Sequence, residues 1–448
     1  MLSSRLFSQD YFPQIHSHLR YFHTFMMQTE RFQKAHNKFI SSKLLFSLGV
    51  LMGETHLIYM DHAATTFTKP EVIEAMLPFL KEHFGNPSSL YSIGREGKEA
   101  VETSRKKLAK ALGAAQPEEI YFTSGGTESD NWAIKGTAFS RQKKGKHIIT
   151  TPIEHHAVLY PCEYLETQGF EVTYLPVDEY GLVNPAEVEA SIKKDTVLIS
   201  VMYANNEIGT IEPILEIGKI AREHGIPFHT DAVQVIGKVP LDLQREHKDV
   251  DMLSLSSHKF YGPKGIGALY IREGTEIDNY MHGGAQERGK RAGTENVVGI
   301  VGMGKAIELA TANIEAHNEK LSKMRARLMA GILEIPYCRL NGHPEKRLPG
   351  NLNFSFEYIE GESLLLMLDQ MGICCSTGSA CSSGSSEPSH VLRAIGLAPK
   401  TAQGTLRLTL GDANSEEDID YVLEVLPEVV GKLRAISPFY KPESKCEK

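Results

Sequence analysis

Residues 252–271 read MLSLSSHKFYGPKGIGALYI. Met252 to Leu255 and Ala268 to Ile271 are apolar runs of strand length, and the stretch between them is polar and then rich in glycine. Lys259 follows the first run directly, so it stands at a sheet edge. Schiff-base chemistry needs such an amine, partly desolvated so that a fraction is uncharged, and Ser256 and His258 beside it suit the phosphate of an aldehyde cofactor. A lone lysine after a strand is more often simply solvated, so the neighbouring segments decide. Working outward, Ile120 to Thr123, His147 to Thr151, Val197 to Met202 and Pro227 to Thr230 are further short β-rich runs, with amphipathic helical stretches between most of them. That alternation predicts an α/β fold with a mainly parallel sheet, whose ligands bind beyond the carboxyl ends of the strands.

The residues just past those ends carry unusual chemistry. Ser124-Gly125-Gly126-Thr127-Glu128 opens a helical run and suits a phosphate: glycine lets the backbone approach closely and Thr127 adds a hydroxyl. On its own it reads equally as a helix cap. Asp231 ends the strand Pro227 to Thr230, where a carboxylate is costly unless paired; a pyridinium nitrogen or an arginine would answer, and Gln234 could reach a phenolic oxygen. Within Glu154-His155-His156, His155 could stack on a flat cofactor and carry protons. Asn205-Asn206-Glu207-Ile208-Gly209 could supply amides to a cofactor or substrate, or form an ordinary turn.

The chain has 448 residues, 41% of them hydrophobic, and a formal net charge of -8. Such a balance fits a soluble enzyme and argues against broad phosphate neutralisation, hence against a direct nucleic-acid partner. Its six cysteines, at 162, 338, 374, 375, 381 and 446, lack zinc-ribbon spacing and read as free thiols in a reducing compartment, with no resident metal. Leu44 to Met52 is far shorter than the roughly 20 residues of a membrane span. Gly299 to Ala306 nearly spells a nucleotide-binding loop, but it ends in Ala306 where a magnesium-binding hydroxyl is needed and no strand introduces it.

The length predicts two or three folding units. Residues 1–56 are rich in Phe, His, Ser and Gln, with more basic than acidic residues. They read as a mitochondrial-type presequence, a partner-binding helix or, preferred here, translated sequence ahead of a start at Met52 or Met60. The expected location is therefore the cytoplasm, or the mitochondrial matrix if 1–56 is a genuine presequence. Residues 57–334 are expected to form a large domain ending in a linking helix over 297–333. Residues 335–435 follow as a smaller α+β domain with strands Leu352 to Phe356 and Leu406 to Leu410, and 436–448 as a tail.

Taken in order, these elements resemble the cysteine desulfurases of the class V aminotransferase family, of the iron-sulfur cluster and nitrogen-fixation type. The likeness spans Ile58 to Leu433 and rests on Tyr59-Met-Asp-His-Ala-Ala-Thr-Thr66, Phe84-Gly-Asn-Pro-Ser-Ser89, Thr123-Ser-Gly-Gly-Thr-Glu-Ser-Asp-Asn131, Asn205-Asn-Glu-Ile-Gly209, Asp231-Ala-Val-Gln234, Ser256-Ser-His-Lys259, Arg291-Ala-Gly-Thr294, Gly378-Ser-Ala-Cys-Ser-Ser383 and Arg407. The resemblance implies the fold type I of pyridoxal-phosphate transferases, with a seven-stranded sheet in the large domain. It implies pyridoxal 5'-phosphate bound covalently at Lys259, its phosphate held by Gly126, Thr127, Ser256 and His258. Asp231 would meet the ring nitrogen, Gln234 the phenolic oxygen and His155 the ring face, with Asn206 in the same pocket. Arg407 corresponds to the clamp on the substrate carboxylate. Thr294 corresponds to a threonine that reaches the neighbouring subunit's phosphate in a homodimer. Cys381 corresponds to the nucleophile that takes sulfur from L-cysteine as a persulfide, with His155 a proton carrier, and its Ser/Gly loop resembles that of enzymes serving an iron-sulfur scaffold or another sulfur acceptor. There Cys381 could transiently ligate a partner's cluster. A selenocysteine lyase or a plain class V aminotransferase would share most of these residues, though a transaminase has no use for Cys381.

Overall fold

The computed structural model describes residues 57–378 and 389–440. Its twelve strands, in chain order, are β1 (Ile58–Tyr59), β2 (Ile120–Thr123), β3 (His147–Thr150), β4 (Glu171–Tyr174), β5 (Thr196–Ser200), β6 (Phe228–Asp231), β7 (Met252–Ser256), β8 (Gly267–Ile271), β9 (Cys338–Leu340), β10 (Asn351–Phe356), β11 (Ile373–Cys374) and β12 (Thr405–Thr409). Seven of them form one sheet in the order β2-β8-β7-β6-β5-β3-β4. β3 to β7 are mutually parallel, and β8 runs antiparallel to both of its neighbours. The antiparallel turn back from β7 to β8 is the glycine-rich stretch after Lys259.

Alternation along the strands gives the sheet two apolar faces. Phe122, Ile149 and Tyr270 fall in one core, and their sequence neighbours Tyr121, Ile148 and Leu269 in another. A further core surrounds the three-stranded sheet β12-β10-β9 and holds Leu352, Phe354, Phe356, Leu406 and Leu408. The start of the described chain belongs to this last core: Ile58 and Met60 are buried in it, and β1 pairs in parallel with β11. Among the described residues, no single helix is long and apolar enough to cross a membrane.

Six of the seven large-sheet strands correspond to runs expected from the sequence. β4 was not among them, because it is a short edge strand with no fully buried residue. The single linking helix expected over 297–333 is instead two, Val297–Thr311 and Ile314–Leu333, bent by 72°. Asn313 breaks it, with φ -154 and ψ 59, in keeping with the preference of asparagine for non-helical backbone.

A buried ion pair ties the segment before the first of these two helices to the large sheet. Arg105, on the helix Ser92–Leu112, donates to both oxygens of Glu287 at 2.8 and 2.9 Å, and Glu287 also accepts the Phe122 amide at 2.9 Å. Both side chains are 3% exposed. Arg105→Met would leave Glu287 buried without its cation, and is expected to lower stability by about 3–5 kcal/mol. Urea unfolding of the cofactor-loaded protein checks this; a loss below about 1 kcal/mol, the size of a surface pair, would contradict it.

Candidate active site

A cavity of about 340 Å³ opens beyond the carboxyl ends of β5, β6 and β7. Gly126, Thr127, His155, Asn206, Asp231, Gln234, Ser256, His258, Lys259 and Arg407 all line it. Ten of the twelve residues singled out from the sequence therefore meet in one place. Thr294 does not line this cavity and is exposed. Cys381 lies outside the described residues, but Gly378, three positions before it, is in the cavity wall.

Asp231 is the last residue of β6 and is 7% exposed. Its Oδ1 accepts the Val233 amide at 2.9 Å. Burial therefore pushes its carboxyl up to about 6, although the Val233 hydrogen bond and the Lys259 charge pull the other way. Asp130, also in the wall and 1% exposed, is held well above the ordinary carboxylate range by burial and by the Asp231 charge. His229 stands 3.6 Å from Asp130 and bonds the Ser200 and Ser254 hydroxyls at 2.9 and 3.0 Å. Burial pushes that ring down to about 3, so it is neutral and supplies no counter-charge.

Lys259 sits in a single helical turn after β7, its Nζ donating to the Ala63 and Ala64 carbonyls at 2.6 and 2.7 Å. Gln234 Nε2 donates to the same Ala63 carbonyl at 3.0 Å. The loop from Asp61 to Thr66 is thus part of the site. It is fixed from both sides: the Thr409 hydroxyl accepts the Ala63 amide at 2.9 Å, and the Thr66 amide and hydroxyl donate to the His258 carbonyl, each at 2.9 Å. His155 caps the helix His156–Thr167, its Nδ1 accepting the Ala157 amide at 3.0 Å. That bond leaves the ring proton on Nε2. Burial, then the charges of Lys259, His156 and His390, push the imidazole down to about 4, so at neutral pH it is an uncharged N–H donor.

Arg407, on β12, is 2% exposed and reaches in from the smaller sheet. Its Nη2 meets Asp61 Oδ1 at 2.6 Å and its Nη1 donates to the Asn206 carbonyl at 3.2 Å. On the opposite side, Arg291 grips Glu128 with two bonds of 2.7 and 3.0 Å, and Glu128 also accepts the Ser124 amide at 2.7 Å. This places Arg291-Ala-Gly-Thr294 against the glycine turn. A Cβ at Gly126 would lie 2.7 Å from a Val233 methyl, so a larger residue there would force Val233 or the turn to shift. Asp61, Ala63, Ala64, Asp130 and Gly378 had been quoted only as parts of motifs. Nothing in their residue types marks the alanines as ligands, because it is their carbonyls that act.

The Aminotransferase class-V family model matches residues 58–422. The chain belongs to that family. It is 62% identical over 390 residues to the cysteine desulfurase IscS of Methanosarcina thermophila, covering 87% of this chain and 96% of that one. To the IscS of Dictyoglomus turgidum it is 57% identical, covering 87% and 98%. Among solved structures, a NifS-like protein superposes with a TM-score of 0.79 at 41% identity, covering 84% of this chain and all of the other. A second, described as SspA in complex with cysteine, gives 0.70 at 40% identity, covering 79% and 98%.

The cofactor of these class-V enzymes is pyridoxal 5'-phosphate, and the site fits it. Among the described residues Gln234 Oε1 is buried without a hydrogen-bond partner, and Asp231 is a buried carboxylate whose titration burial raises. Gly125, Gly126, Thr127, Ser256, His258 and Lys264 border an adjoining open space suited to a phosphate. The cost of Asp231 yields a stability prediction. Its folded value is raised above the ordinary 3.8, so the penalty is absent below about pH 4, grows as pH rises through about 6 and is complete above it. In cofactor-free protein, Asp231→Asn is expected to raise stability at pH 7–8 by roughly 1–3 kcal/mol and to have no effect near pH 4. Chemical denaturation at the two pH values checks this; a destabilised variant at pH 8 would contradict it.

Proposed function

We propose that the chain converts L-cysteine to L-alanine and leaves the sulfur on Cys381 as a persulfide. The supporting observation is the convergence of Lys259, Asp231, His155 and Arg407 on one cavity whose wall includes Gly378, three residues from Cys381. When bound, pyridoxal 5'-phosphate supplies an aldehyde that captures an amine and a ring that draws electrons from the substrate's α-carbon.

The chain's own residues do the rest. The glycine turn at Gly126 with Thr127, Ser256 and His258 would hold the phosphate, and Asp231 the ring-nitrogen proton. Gln234 would meet the phenolic oxygen, and the neutral His155 would lie against the ring and offer its Nε2 proton. Arg407 would bind the substrate carboxylate through its planar fork, helped by Asn206; Asp61, which engages one arm of that fork, must yield or share it. Lys259 would take the α-proton at Nζ. Cys381 Sγ then attacks the substrate sulfur: the substrate's C–S bond breaks, an S–S bond forms, and the carbon left behind gains a proton to become alanine. A free thiol titrates near ~8.5, so the attacking thiolate needs local help.

A homodimer with shared sites completes this reading. Its support is that Thr294 is exposed and held near the glycine turn through Arg291. Phe84, Leu90 and Tyr91 are 75%, 89% and 57% exposed, an apolar group suited to an interface. The persulfide would pass to an iron-sulfur scaffold or another sulfur-acceptor protein. Cys381→Ala is expected to keep the cofactor's visible absorbance and cysteine binding, because no cavity-lining group is altered. Alanine formation under a reducing thiol should fall by about a thousandfold or more, and the persulfide should disappear from mass spectra. Normal turnover with the sulfur found on Cys374 or Cys375 would overturn the assignment.

A further inference from the structure

Lys259 walls a second cavity, of about 350 Å³, on the side away from Arg407 and the glycine turn. It lies at the bend between the helices Val297–Thr311 and Ile314–Leu333, where Ala310, Asn313 and His317 face it. Its charged lining is mostly cationic. Lys69, Lys238 and Lys259 are opposed by one carboxylate, Asp412, which is already engaged by Lys69 at 2.5 Å and His317 at 3.2 Å.

Two groups in this wall lack partners among the described residues. The Lys238 ammonium makes no hydrogen bond or ion pair, and burial followed by the Lys259 charge pushes it down to about 8. His62 is 3% exposed, and neither ring nitrogen has a hydrogen bond of ordinary geometry, although the Tyr59 backbone and the Asn414 side chain stand close. Burial holds the ring down at about 4, so it is neutral, and its one N–H has beside it only the poorly aligned Tyr59 backbone and Asn414 side chain. Buried polar groups without partners are uncommon in native proteins, and a cation facing an apolar-backed cavity favours an anion.

We propose that this second cavity is a binding site for a small oxyanion, held by the Lys238 ammonium and the His62 N–H. The ligand class is a sulfate, a phosphate or a small carboxylate, and the volume admits nothing larger than a small metabolite. The site is distinct from the substrate clamp, because Arg407 does not line it. Since Lys259 borders both cavities, a bound anion would place negative charge beside the reactive amine. The inference does not depend on where the sulfur goes.

Sulfate and acetate, titrated separately by calorimetry into cofactor-loaded protein, test it, since loading fills the cofactor-phosphate site. Saturable binding of either at one per chain is expected, the tighter of the two identifying inorganic or carboxylate chemistry. Lys238→Gln should weaken it by about tenfold or more, the effect of one charge-assisted hydrogen bond. His62→Phe, which keeps the ring and removes the donor, should weaken it several-fold and covers the case in which Lys238→Gln fails to fold. Arg407→Lys should bind as the wild type does. No saturable binding by the wild type up to about 100 mM, undiminished binding in both Lys238→Gln and His62→Phe, or loss only in Arg407→Lys, would overturn the proposal.

Discussion

A carboxylate at the buried end of β6 is the constraint on which the rest of this structure depends. Asp231 is surrounded by apolar strands, a second acid at Asp130 and a neutral His229. Desolvating a charge is expensive, and the hydrogen bond from the Val233 amide offsets only part of that cost. A cation set directly against the carboxylate would relieve the remainder. In the proposed reading a protonated pyridine ring would be that cation, and the same contact would keep the ring electron-poor, so that stability given up in the cofactor-free fold would be returned on binding.

The other groups follow from where that ring must lie. In the proposed reading, Lys259 beyond β7 would reach it, the glycine turn beyond β2 would meet its phosphate and His155 beyond β3 would cover it. These positions are set by one mainly parallel sheet. The substrate end is built differently. Arg407 comes from β12 of the smaller sheet, and the Asp61 to Thr66 loop joins the two, hydrogen-bonded to Thr409 on one side and His258 on the other. The start of the described chain thus serves as a strap across the site, which explains why two alanine carbonyls hold the lysine amine.

Much of this was legible in the sequence because the functional side chains sit immediately after apolar runs of strand length. Asp231, Lys259 and the glycine turn could be placed at strand ends from pattern alone, and six of the seven large-sheet strands likewise. Other features carried no such signal. β4 is a half-exposed edge strand with weak patterning, and the bend at Asn313 interrupts a stretch whose apolar periodicity continues on both sides. The roles of Ala63 and Ala64 are played by backbone carbonyls, which residue type does not reveal. Asp130 belongs to the glycine-turn motif, yet its burial beside Asp231 depends on how the helix that follows the turn packs against β7 and β8. The assignments of Thr294 and Cys381 rested on resemblance: Thr294 does not line the cavity, and Cys381 lies outside the described residues.

The account turns on the charge state that Asp231 imposes on the cofactor. Loading the protein with pyridoxal phosphate labelled with nitrogen-15 in the ring, and recording the nitrogen resonance, measures that state directly. The wild type should show a protonated ring nitrogen at neutral pH and still at about pH 9, whereas Asp231→Asn should show an unprotonated one. An unprotonated nitrogen in the wild type at neutral pH would contradict the central claim.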